Sequence, residues 1–177
     1  MRNPSIAILG VVVAAMLTSS PVSAQTPANA AAPCTAPKYR QFDFWIGEWD
    51  VTTPQGQAAG SSRITVILGG CVILEEWTGA AGPSRGQSFN IFDARTRRWH
   101  QTWVDNGGLL AQFDGGLLDD GSMRMEGTGQ PANGKPTRSR MTFTPLPDGR
   151  VRQLWENSAD EGATWTTAFD GYYARRK

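Results

Sequence analysis

Beyond residue 45, apolar and polar positions alternate in short runs of Val, Ile, Thr, Trp and Phe separated by turn residues. Alternation with a period of two puts successive side chains on opposite faces of a strand. The runs predict about ten strands, near 47–53, 61–68, 71–79, 86–92, 98–104, 109–118, 122–127, 137–144, 150–157 and 164–174. Between them stand Gly69-Gly70, Asp105-Asn106-Gly107-Gly108, Asp119-Asp120-Gly121, Asn133-Gly134 and Pro147-Asp148-Gly149. These residue types tolerate the positive φ angles of tight hairpins. No stretch in this region carries a helical period. Short strands joined by tight turns predict an all-β, antiparallel up-and-down meander. Closing the meander into a barrel removes its two exposed edges, and a sandwich is the alternative. Tyr39–Trp45 is expected to form one short helical turn that plugs the barrel end before the first strand.

The N-terminus follows another pattern. One positive charge at Arg2 precedes an uncharged apolar run, Ile6–Leu17, of 12 residues, and then a polar stretch ending Val22-Ser23-Ala24. That is the layout of a secretory signal peptide over 1–24, cut before Gln25. As a helix the run would rise about 18 Å, short of the ~30 Å hydrocarbon core, so no membrane anchor is expected. Residues 25–37 are rich in Ala and Pro and read as a flexible lead-in, leaving 38–177 as the β-barrel domain.

Charge excludes some partners. The chain has 17 basic and 16 acidic residues, and one of the basic ones lies in the leader. A mature net charge near zero argues against nucleic acid or an anionic membrane surface as the partner. The two cysteines, Cys34 and Cys71, survive cleavage, and an even count in an exported chain predicts a disulfide. A periplasmic or secreted location follows from the same two features.

The domain opens with Phe42-Asp43-Phe44-Trp45-Ile46-Gly47-Glu48-Trp49-Asp50-Val51, which holds a Gly-x-Trp motif at the start of the first strand. The motif resembles that of the lipocalin and fatty-acid-binding-protein superfamily. The resemblance implies that Trp49 packs across the barrel's closed end and that Arg175 from the last strand stacks on it. Trp99-x-Gln101-x-Trp103-Val104-Asp105, Asp148-Gly149-x-Val151-Arg152-Gln153 and Ser158-x-Asp160-x-Gly162-x-Thr164-Trp165 extend the pattern. Together these segments resemble the bacterial family called domain of unknown function 1579, over roughly residues 38–176. That resemblance implies a lipocalin-like (calycin) barrel and supplies no catalytic residues. The Ser158–Trp165 segment also matches the Asp-box of propeller proteins. A single copy in a chain too short for a propeller is expected to be a structural hairpin, its Trp set in the core.

Strand parity gives the candidate site. Trp99, Gln101 and Trp103 share one face, and Val151, Gln153 and Trp155 share another. If both faces point inward, Trp99, Gln101, Trp103, Gln153 and Trp155 form a cradle for a small hydrophobic or amphipathic molecule. The alternative is a filled core in which the two amides bond each other or water, which makes the domain a structural or protein-interaction module. Burying an amide costs about 1–3 kcal/mol unless it is paired, so both readings demand partners for Gln101 and Gln153. His100, the only histidine, falls on the opposite face with Arg98, which removes it from any haem-ligand or triad role. Arg140 is opposite the inward Met141 and Phe143. No Gly-rich phosphate loop, metal-ligand spacing or catalytic set is present, so no cofactor and no enzyme chemistry are predicted.

Overall fold

The computed structural model describes residues 34–132 and 135–177. The expected signal peptide, most of the lead-in and the Asn133-Gly134 turn lie outside the described residues. Ten strands follow two short 3₁₀ turns, Pro37–Tyr39 and Asp43–Trp45. In chain order they are β1 (Gly47–Thr52), β2 (Ala58–Ile67), β3 (Val72–Gly79), β4 (Arg85–Asp93) and β5 (Arg98–Asp105). They continue as β6 (Leu110–Leu117), β7 (Met123–Ala132), β8 (Lys135–Pro145), β9 (Val151–Ser158) and β10 (Thr166–Arg175). Each strand pairs antiparallel with its neighbours in sequence, and β1 closes on β10, so the sheet is a complete barrel. The closure runs from Trp49 opposite Arg175 to Thr52 opposite Tyr172.

One end of the barrel is filled because residues 42–45 fold into it. Phe42, Trp45, Trp49 and Phe143 are fully buried. The Phe42 ring stacks on Trp45 at 5.1 Å and meets Phe143 at 4.9 Å and Trp99 at 5.7 Å. Offset and edge-on contacts of this kind add to the area each ring buries. Met123, Met125 and Phe113 complete the core.

The Gly-x-Trp motif sits at this closed end, and the structure accounts for each position. The Trp49 indole donates to the carbonyl of Trp45 at 2.9 Å. Arg175 lays its guanidinium 4.5 Å from the centre of the Trp49 ring and donates to the Ile46 carbonyl at 3.2 Å. Gly47 has φ +150°, and a Cβ there would lie 2.5 Å from the Arg175 guanidinium. Backbone conformation and the arginine's approach both require glycine at this position.

Cys34 and Cys71 form a disulfide. It ties the chain three residues before the first 3₁₀ turn to the β2–β3 connection, where Arg40 also donates to the Gly70 carbonyl at 2.6 Å.

The Asp-box is a self-contained turn between β9 and β10. Asp160 accepts from the Ser158 hydroxyl at 2.7 Å and from the Thr164 amide and hydroxyl at 2.8 and 2.6 Å. Its Trp165 does not enter the core as the sequence reading expected. It is half-buried on the outer wall, with the Arg140 guanidinium 3.9 Å from the ring centre. Arg140 itself faces outward, bonded through two nitrogens to Glu156 at 2.7 and 3.1 Å.

Candidate functional site

The half of the barrel opposite the plug is not filled. It holds an open cavity of about 380 Å³. Its walls are the half-buried rings of Trp77, Trp103, Trp155 and Phe169. Four of the five residues expected from strand parity, Gln101, Trp103, Gln153 and Trp155, line it. Trp99 shares their inward face but not their height. It is buried at the plugged end, donating from its indole to Gln41 at 3.0 Å, and is not among the lining residues.

Two of the rings lean over glycines of the neighbouring strands. A Cβ on Gly60 of β2 would lie 2.5 Å from the Trp77 ring, and one on Gly86 of β4 would lie 2.3 Å from the Trp103 ring. No larger residue permits that approach. Phe169 meets Trp77 edge-on at 5.9 Å, beside a bulge in β10 that brings Ala168 to the cavity.

The floor is polar, and sequence reasoning missed its centre. Glu75 of β3 is 3% exposed and lines the cavity. It accepts from Ser62 of β2 on one carboxyl oxygen and from Ser88 of β4 on the other, both at 2.9 Å. Among the described residues no cation pairs with it. Burial pushes its carboxyl up to about 7, against the opposing pull of the Ser62, Ser88 and Tyr173 hydroxyls. The buried Tyr173 phenol lies 3.4 Å from Glu75 and is raised well above its ordinary value, by burial first and by the carboxylate second.

The two amides do not bond each other. Gln101 donates to Asn90 at 2.7 Å, Asn90 donates to Ser88 at 3.0 Å, and Ser88 donates to Glu75. Gln153 donates to the Met141 sulfur at 3.0 Å and accepts from the Tyr173 hydroxyl. The Gln101 carbonyl oxygen is buried and has no partner among the described residues. Hydrogen bonds thus cross the barrel floor in a chain directed toward the carboxylate.

His100 is on the outer face of β5, its ring nitrogens 2.9 Å from Asp114 and 2.8 Å from the Thr102 hydroxyl. Among the described residues, no three His, Cys, Asp or Glu side chains group as metal ligands, and no helix is long and apolar enough to cross a membrane.

The missed residues carried a signal. Ile73, Glu75 and Trp77 alternate in β3, as do Ser88, Asn90 and Phe92 in β4, and the same parity rule puts each set inward. No protein-family model and no curated protein matches the chain.

Proposed function

We propose that the protein is an exported, lipocalin-like barrel that binds one small, partly apolar molecule in the open half of its lumen. The observation that carries this reading is the cavity of about 380 Å³ between four aromatic rings and a hydrogen-bonded polar floor. Ligand sites are typically concave and mostly apolar with a few fixed polar groups, and begin near 300 Å³. A domain with only a structural role would gain by closing this space, since interiors otherwise pack to about 0.74 density. Export is supported by the layout of residues 1–24 and by the Cys34–Cys71 disulfide, a bond that persists in oxidising compartments. Membership of the family called domain of unknown function 1579 is part of the same proposal and rests on the motifs quoted above.

Native mass spectrometry of protein taken from its own periplasm or medium tests the reading. The expected result is a non-covalent adduct of a small organic molecule, released on denaturation. Bare protein, together with intrinsic tryptophan fluorescence unmoved by a panel of small aromatic and aliphatic compounds, would overturn it.

A further inference from the structure

We propose that the lumen site selects a primary or secondary ammonium carried on an apolar, ring-sized body, its N–H groups directed to the Glu75 carboxylate and the Gln101 carbonyl. This inference rests on the reading of the lumen as a binding site and adds the chemical class of its occupant.

The first argument is an account of donors. Every donor group of the floor is engaged internally at least once. The Gln101 amide goes to Asn90, the Gln153 amide to Met141, the Ser62 and Ser88 hydroxyls to Glu75, and the Tyr173 hydroxyl to Gln153. Besides the second N–H of each glutamine, the floor offers an occupant acceptors: the lone pairs left on the Glu75 carboxylate and the Gln101 oxygen, which has no partner among the described residues. A buried acceptor without a donor is costly, so the fitting ligand is one that supplies N–H groups.

Charge is the second argument. Glu75 is a buried acid with no cation beside it among the described residues. An ammonium entering the cavity would supply that counter-charge where the low dielectric strengthens the attraction. A carboxylate ligand would place two negative charges on one floor. The walls agree in sign, because the faces of Trp77, Trp103 and Trp155 attract cations. A quaternary ammonium satisfies the charge but leaves Gln101 without a donor.

Three isosteric probes test the inference by calorimetry on the disulfide-intact protein at pH 8: 2-(2-naphthyl)ethylamine, 2-(2-naphthyl)ethanol and 3-(2-naphthyl)propanoate. The amine is expected to bind about 10- to 100-fold tighter than the alcohol, the range of a charge-assisted hydrogen bond, and the acid weakest. In Glu75→Gln the amine and alcohol affinities should converge. A second readout needs no variant. Ser62 on β2, Ser88 on β4 and Tyr173 on β10 face Glu75, and of these only Tyr173 titrates, well above its ordinary value. The amine's advantage should therefore shrink about tenfold per pH unit below about 7 as Glu75 takes a proton. Equal affinities of amine and alcohol at pH 8, or preference for the acid, overturn the ammonium inference and leave the lumen reading standing. Failure of all three probes to bind up to about 1 mM, where affinity is only about 4 kcal/mol, overturns both.

Discussion

Glu75 shows how one residue sets the character of the lumen and also costs the fold stability. A carboxyl without a counter-ion is hard to ionise away from water, and here burial outweighs three hydroxyl contacts. Its value rises from an ordinary 4.5 to about 7. A raised value means that the folded state holds the proton more tightly than the unfolded state does. The contribution to stability is then fully present below about 4.5 and is lost as pH rises through about 7. At about 1.4 kcal/mol per unit, the loss is on the order of 3 kcal/mol. Glu75→Gln keeps the shape and removes the titration. The variant is therefore expected to gain up to about 3 kcal/mol on the wild type between pH 4.5 and pH 8, read as the difference between their urea unfolding free energies. Parallel pH profiles would show that Glu75 ionises as freely in the folded protein as in the unfolded chain. A binding group that destabilises its own fold fits the general trade between activity and stability at functional sites.

At the scale of elements, the open half of the barrel depends on strand pairs in which a tryptophan leans over a neighbouring glycine. In Gly86→Ala the new methyl would stand 2.3 Å from the Trp103 ring and 2.9 Å from the Val104 carbonyl. The backbone oxygen is fixed by the sheet, so the ring must move, and the free direction is into the lumen. The expected cost is about 1–3 kcal/mol, as for other overpacked sites, with loss of lumen binding at a concentration that saturates the wild type. Urea unfolding and calorimetry read the two effects; a variant that binds normally would show that the ring has another way out. The same geometry explains what could be read from the chain. Alternation in β5 and β9 gave the inward faces of Gln101, Trp103, Gln153 and Trp155 without error, because period two is a local property. It could not separate Trp99 from Trp103. The two lie four residues apart on β5, and which height is filled is set by the Phe42–Trp45 plug, a segment with no strand or helix period of its own. Glu75 escaped because Glu75-Glu76 looks like a solvated pair, and acids are almost never fully buried. The Asp-box pattern points Trp165 inward, whereas Arg140 offers the ring a face outside.

For the molecule as a whole, the filled end is the foundation on which the open end stands, and the disulfide secures that filled end. The plug formed by residues 42–45 has no sheet hydrogen bonds to hold it. It stays because its rings are buried and because Cys34, just ahead of it, is joined to Cys71 between β2 and β3. The bond closes a loop across 37 positions in sequence. In the chain-entropy model a loop of this length restricts the unfolded state enough to stabilise the fold by about 3–4 kcal/mol. Small domains commonly add such staples to a limited core. The double variant Cys34→Ser, Cys71→Ser, or the wild type with excess reductant, is therefore expected to lose about 3–4 kcal/mol by urea unfolding. The loss should appear in the plug before it appears in the strands. Amide exchange should rise first at Trp45 and Ile46, whose amides bond the Phe42 and Asp43 carbonyls within the plug at 3.2 and 3.1 Å. Exchange that instead rises uniformly over all ten strands would show that the staple acts on the unfolded chain alone, and that the buried rings hold the plug without it.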